Sequence, residues 1–413
     1  MTKKITDTLD SILLRKRFGI IIFLVIIWCI FQATFGLGHY PMLWIEALIR
    51  LIEKIINRSM SDGIIKSFLL EGILKGVGGV MVFLPNIIIL FTLLSLIEET
   101  NYMMRVVYIM DRIMNPFGLN GRSFVSLFMG FGCNVPAIMI ADKIKNRNTR
   151  LITILINPLI PCSSRFTVYV LFIAAFFPKR PGMVLFGVYA FSVIIALITA
   201  LFMKKYIFRK THDIHDIHLT DYRLPSLRRI MRTMWFNTTL FLKKISGAVL
   251  IASIIIWFLS YYPRQDKTND LEQSYISIIG KSIEPVFRPL GFDWKMSTSL
   301  LTGVAAKETI VGTLSELYQA KPHSDFDKGS FIKTLQNQKY IDKNNMEHKV
   351  FSPLIALSFI VFVSLYTPCV ATIASIKKTT KSNLMSLFVI FYSFFLAWIF
   401  SFAVFQIGGL IIK

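Results

Sequence analysis

Four short segments combine residues that bind or move a cation with residues that interrupt a helix. The first is Gly130-Phe-Gly-Cys-Asn-Val-Pro-Ala-Ile-Met139. Gly130, Gly132 and Pro136 bracket Cys133 and Asn134 in an apolar stretch. Glycine opens backbone angles closed to other residues, and proline interrupts the helical ladder. Free carbonyl oxygens are therefore expected beside a thiol and an amide. The second is Asn157-Pro-Leu-Ile-Pro-Cys-Ser-Ser-Arg165, where Pro158 and Pro161 precede Cys162, Ser163 and Arg165. The third is Tyr366-Thr-Pro-Cys369, with Pro368 before the thiol. The fourth is Gly303-Val-Ala-Ala-Lys-Glu-Thr-Ile-Val-Gly312, which places Lys307 and Glu308 in apolar surroundings.

A thiolate is a soft ligand, and with amide and hydroxyl oxygens it suits a borderline metal such as Fe(II) better than Mg²⁺ or Ca²⁺. The plain alternative is that a free cysteine is a small buried hydrophobe. Three cysteines at helix breaks favour ligand or pathway roles for Cys133, Cys162 and Cys369, with Asn134 beside the first. Cys29, in mid-run with no break beside it, stays with the plain reading. Charges at membrane depth are expensive and point to function. Glu308 is read as attracting a cation or taking a proton, or else as pairing with Lys307 to close the break. Arg165 is read as organising the Cys162 loop. The run His212-Asp-Ile-His215-Asp-Ile-His218 is read as a solvated linker rather than a metal-staging site, because three-residue spacing spreads the imidazoles around a helix. There is no GxxxxGK[ST] phosphate loop, HExxH or GxSxG, so the chain is not expected to be an enzyme. No permanently bound cofactor is expected.

Long apolar elements must position these segments. The chain has 413 residues, of which 54% are hydrophobic and only 17% charged, against about 25% charged in a soluble protein. Its net charge of +22 gathers in short loops, as the positive-inside rule requires. No aromatic-plus-basic stripe suggests nucleic acid. The four cysteines form no CxxC pair, so a disulfide framework is not expected. The predicted fold is all-α: a polytopic membrane protein with about seven spans. They lie near 18–36, 78–97, 151–177, 183–203, 245–262, 351–376 and 386–411. The stretches 123–140 and 297–317 are read as two re-entrant half-helices, tolerated where they line a cavity. Basic loops 143–150, 204–244 and 377–381 then fall in the cytoplasm with the N-terminus, and 37–77 and 318–350 fall outside. The first span follows Arg15-Lys16-Arg17 without a cleavage site and reads as a retained anchor. Leu43–Ile56 and Tyr102–Met114 are amphipathic. They are read as lying on the membrane surface or packing on neighbouring helices.

The chain also repeats itself. Asn115–Gly130 stands over Arg288–Gly303 without a gap, with five of sixteen positions identical: Pro116/Pro289, Gly118/Gly291, Ser126/Ser299, Leu127/Leu300 and Gly130/Gly303. Asn120/Asp293 and Arg122/Lys295 are conservative. Pro161-Cys162 matches Pro368-Cys369 after one insertion, about the length of loop 318–350. Each unit reads as three spans and one half-helix. An odd number of crossings inverts the second copy, as in many secondary transporters whose substrate sits at broken helices near the midplane. The domains expected are 1–77 (anchor and outer amphipathic segment), 78–208 (first gate repeat), 209–244 (basic cytoplasmic linker) and 245–413 (second gate repeat).

Pro85–Glu98, Gly130–Pro136, Pro161–Arg165, Ala306–Glu308, Gly312–Leu314 and Leu365–Thr372 resemble, in order, the membrane portion of the FeoB family of bacterial ferrous iron transporters. The resemblance runs from about residue 78 to the end. It implies two gate repeats, Fe²⁺ import across the cytoplasmic (inner) membrane, and pathway roles for Cys133, Cys162 and Cys369. Family members normally begin with a GTP-binding domain that this sequence lacks. Either a separate GTP-binding protein supplies it, or this is a shortened relative that works without it. That protein and a small FeoA-like accessory are the partners the resemblance implies, beside the lipid bilayer and Fe²⁺, and a homo-oligomer is left open. Two departures stand out: Ser-Ser-Arg-Phe-Thr replaces the usual Ser-Ala-Arg-Leu-Pro after Cys162, and the chain ends after the span 386–411. The alternatives are a gate-type transporter of another divalent metal or a nucleoside, and a non-transporting membrane scaffold or regulator.

Overall fold

The computed structural model describes residues 11, 16–61, 63–208, 221–263, 273–318, 328–341 and 347–412. The His212–His218 run lies outside the described residues. Helices dominate. Among the described residues five are long and apolar enough to cross a membrane, or six if the bent pair Leu84–Glu99 and Tyr102–Phe117 is one span. The expected span 245–262 is the end of a helix, Leu227–Tyr261, whose apolar part Leu250–Tyr261 is short. Among the described residues, strand pairing is confined to the two-stranded ribbon of β1 (Lys339–Ile341) and β2 (Glu347–Lys349), antiparallel with Tyr340 opposite His348.

The chain divides into two compact units, Met1–Ile154 with Ile198–Ile254 and Leu155–Leu197 with Ile255–Lys413. In the first, α1 (Lys16–Ser59) packs along α2 (Lys75–Glu99). The sequence suggested an anchor ending near residue 36 and a separate amphipathic helix over 43–56. Instead one helix of 44 residues runs through Pro41, because packing against a long neighbour overrides local helix-breaking preference. Asn101, at φ 60, turns the chain from α2 into α3 (Tyr102–Met114); asparagine is among the few side chains that accept this region. Tyr102, Val106, Val107 and Met110 of α3 join Phe23, Val125 and Tyr222 in one buried cluster. Packing on neighbours, one of the two readings for this amphipathic helix, is realised. Arg105, also buried, lies 4.1 Å over the Tyr222 ring.

In the second unit the most buried span is Pro353–Thr380, 67% buried against 22% for Asn383–Leu410. Phe359 packs 4.9 Å from Phe172 and 5.4 Å from Phe292, and Phe362 lies 5.5 Å from Phe287. The Ser358 and Ser401 hydroxyls meet at 2.7 Å, which gives each buried group a partner. Outward-facing Phe391, Phe395 and Leu410 are exposed. Apolar surface of this extent on helices of spanning length is suited to lipid.

The two matched stretches of sequence fold into matched runs of elements. α3 (Tyr102–Met114) and its counterpart Tyr275–Phe287 each have 13 residues. Each is followed by a proline-containing 3₁₀ turn, Asn115–Phe117 or Arg288–Leu290. Each turn closes on a glycine at positive φ, Gly118 at 74° and Gly291 at 83°, a conformation that side chains with a Cβ resist. The conservative pair Asn120/Asp293 turns out to be a pair of helix N-caps, accepting from Ser123 N at 2.9 Å and Met296 N at 2.8 Å. Two short packed helices come next in each run, Gly121–Gly130 with Asn134–Ala141 and Trp294–Thr302 with Thr309–Leu317. The runs go on through Arg147–Ile156, Ser163–Phe176 and Pro181–Phe202 in one case, and through Pro353–Leu365, Val370–Thr380 and Asn383–Ile412 in the other.

Candidate functional site

The three cysteines flagged by their spacing hold one structural position. Cys133 is the N-cap of Asn134–Ala141, Cys162 of Ser163–Phe176 and Cys369 of Val370–Thr380, each with extended backbone. None of the three thiols caps its own helix. Each is intermediate in exposure, whereas Cys29 is exposed in mid-helix. A helix N-terminus carries partial positive charge and favours an anionic group beside it.

In the first unit the break is made by Phe131–Cys133. Gly132 N and Cys133 N both donate to Met129 O, at 3.0 and 3.1 Å. Pro136 was expected to break the ladder. It lies instead in the first turn of Asn134–Ala141, where a missing N–H costs no helical hydrogen bond. The Ser126 hydroxyl donates to Ala137 O at 2.8 Å and ties the two short helices together. Asn134 is buried, and its Oδ1 accepts no hydrogen bond.

In the second unit two cationic side chains take the carbonyls freed by the breaks. Arg165 is buried, and its Nη1 donates to Pro158 O at 3.0 Å, Ile160 O at 3.4 Å and Ser364 O at 2.8 Å. Its Nη2 donates to Tyr366 O at 3.0 Å. One guanidinium thus braces the turn before Cys162 and the turn before Cys369; Ser163 starts the helix between them. The fork of five donors in Arg is what makes this reach feasible.

Lys307 is also buried. Its Nζ donates to Thr367 O at 2.5 Å and lies 3.3 Å from the Tyr366 ring centroid. The Lys307–Glu308 pair considered from sequence does not form: the lysine turns to a carbonyl and a ring on another element. Neighbours in sequence point apart, so the alternative partner wins. Glu308 is half-buried at the N-cap of Thr309–Leu317 and joins no ion pair among the described residues. Val370 N donates to Val304 O at 2.9 Å, joining the Lys307 break to the Pro368-Cys369 break. Cys369 Sγ lies 3.2 Å from the Thr372 hydroxyl. Among the described residues no group of three or more His, Cys, Asp or Glu is placed to hold a metal ion.

Tyr366 and the carbonyls of Ser364 and Thr367 carry part of this site, and sequence reasoning assigned them no role. The available signal was Pro368, since a residue before proline is pushed to extended backbone and leaves the helix ladder.

A family model described as Gate, nucleoside recognition, matches residues 80–176 and 242–383, and one described as ferrous iron transport protein B C terminus matches 185–237. The chain is 37% identical to the Fe(2+) transporter FeoB of Campylobacter jejuni, covering 100% of this chain and 67% of that protein. The chain belongs to the FeoB family. The Gate match includes Cys133, Asn134, Cys162, Arg165, Lys307, Glu308 and Cys369. Two further FeoB-family relatives widen the comparison. A Porphyromonas gingivalis protein named as a fusion of Fe(2+) transport protein A and Fe(2+) transporter FeoB is 41% identical over 98% of this chain and 52% of its own length. The Fe(2+) transporter FeoB of Methanocaldococcus jannaschii is 34% identical over 98% of the chain and 59% of its own length. The chain thus spans between about half and two thirds of the relatives it matches. No solved structure matches it.

Proposed function

We propose that this chain carries Fe²⁺ across a membrane through two inverted gate repeats, with Cys133, Asn134, Cys162, Cys369 and Glu308 as successive ligands. Supporting this most directly, all three cysteines at helix breaks share the N-cap position. Two of them stand on Pro-Cys turns braced by one arginine. The matched runs of elements support the repeat, and inversion rests on three crossings per copy, with the helix Leu227–Tyr261 as the first of the second copy. Conduction needs sites weak enough to leave; few ligands at a time meet that need. Gly130, Gly132, Pro136, Ser163, Arg165, Lys307 and Pro368 shape the breaks. Import is into the cytoplasm across the inner membrane, with the N-terminus inside. GTP hydrolysis by a separate polypeptide and a FeoA-like partner belong to this reading as proposals, the second suggested by the fusion relative's name.

Metal binding displaces thiol protons, so uptake weakens as pH falls. The test is anaerobic Fe²⁺ uptake into proteoliposomes. A Cys133→Ser/Cys369→Ser protein is expected to lose it; parental rates in that protein sink the pathway. The description of the Gate model favours one second reading, a nucleoside as cargo. Competition of Fe²⁺ uptake by nucleosides, Mn²⁺ or Zn²⁺ separates the readings.

A further inference from the structure

Lys307 is a buried lysine held by a carbonyl oxygen and an aromatic face, with no acidic partner at ion-pair distance among the described residues. We propose that the Lys307 ammonium is a tethered cation occupying a metal-ion station at the Thr367–Cys369 break, and that a permeating divalent cation must displace it. This deepens the transport reading and rests on it.

A carbonyl oxygen and a ring face are groups that bind cations elsewhere in membrane and soluble proteins. Here both come from consecutive residues, Tyr366 and Thr367, directly before Pro368-Cys369. In the chain, Cys369 follows two residues after Thr367, and its thiol lies 3.2 Å from the Thr372 hydroxyl. A charge held at membrane depth without a counter-ion is expensive, so the station is built to exchange its occupant. The lysine stem is long and flexible enough to withdraw, whereas the guanidinium fork is rigid. Arg165 meanwhile holds the adjacent carbonyls of Ser364 and Tyr366 through bonds that do not involve Lys307. The frame of the station therefore survives when the lysine leaves it. Two positive charges cannot share the place cheaply, so the tether sets the affinity for the incoming ion.

A merely structural brace makes a different prediction, and Lys307→Gln divides the two. Glutamine keeps an N–H donor for Thr367 O and removes the charge. The full chain, purified in detergent under reducing conditions, is titrated with Co²⁺ as an optical reporter of thiolate ligation. Lys307→Gln is expected to bind Co²⁺ about tenfold tighter or more, because a like-charge penalty is gone. Lys307→Arg, which keeps the charge, is expected to bind no tighter than the parent. Equal or weaker binding by a well-folded Lys307→Gln protein overturns the proposal. Should that protein not fold, Lys307→Met removes the ammonium and leaves Tyr366 and Thr367 in place, and it must also tighten Co²⁺ binding; unchanged affinity again overturns the proposal. Fe²⁺ flux by the parent in proteoliposomes, measured alongside, separates the two levels. Flux with no affinity change in the variants defeats the tether alone, and absence of parental flux defeats the transport reading with it.

Discussion

The guanidinium of Arg165 donates to the carbonyl oxygens of Ser364 and Tyr366, 2.8 and 3.0 Å away, across about 200 residues of chain. The same group holds Pro158 O and Ile160 O. Two turns that each end in Pro-Cys are therefore braced by one side chain. Helix breaks at membrane depth expose backbone groups that cost energy unless paired, and here the pairing is charge-assisted.

Replacing Arg165 with Met removes all four bonds at once. Each buried acceptor left unpaired costs about 1–3 kcal/mol, so several kcal/mol of stability are expected to go. Arg165→Lys keeps the charge without the fork and should fall between. Thermal unfolding of the purified protein reads this; a Met variant as stable as the parent contradicts the brace.

Each of the paired N-caps carries a contact beyond the cap itself, and Asn120 Oδ1 also accepts from the Ser123 hydroxyl at 3.0 Å. Asn120→Ala and Asp293→Ala each remove a cap worth about 0.5–2 kcal/mol. Asp293 also accepts from the Tyr318 hydroxyl at 2.7 Å. Asp293→Asn keeps the cap and should recover most of the stability in the same unfolding assay. Tyr318→Phe removes the Tyr318 contact alone, and unchanged stability in that variant would mean that the contact contributes nothing.

Gly303 is the C-cap of the helix Trp294–Thr302, and it has no room for a side chain. A Cβ there would stand 2.4 Å from Ile310 Cγ1 and 2.5 Å from the Tyr366 hydroxyl. Gly303→Ala is expected to destabilise by about 1–3 kcal/mol through overpacking. It should also disturb the Lys307 station, since Tyr366 must shift. Gly312→Ala, with open space around it, is the control and should be neutral or stabilising by up to about 1 kcal/mol. Similar melting curves for the two variants would refute this distinction.

Asn134 separates folding from transport. Its Oδ1 is buried and accepts no hydrogen bond, so the oxygen adds nothing to stability and carries a desolvation cost. Asn134→Leu is therefore expected to leave unfolding almost unchanged while lowering Fe²⁺ uptake. Normal uptake in a stable Leu variant would remove Asn134 from the pathway.

The sequence by itself determined much of the plan. Long apolar runs have few partners other than lipid and one another, which made an all-α membrane protein legible. Pro116, Gly118 and the Asn120/Asp293 pair announced a repeated turn because each has a local backbone reason that needs no distant contact. Proline and glycine beside Cys133, Cys162 and Cys369 marked the breaks for the same reason. Only the tertiary structure decided where side chains of long reach would go. Lys307 turned from its neighbour Glu308 to Thr367, Arg165 spanned two breaks, and α1 ran through Pro41. Each outcome depends on what another part of the chain offers within a few ångströms. A carbonyl freed by a distant proline is a partner that residue types and spacing do not encode.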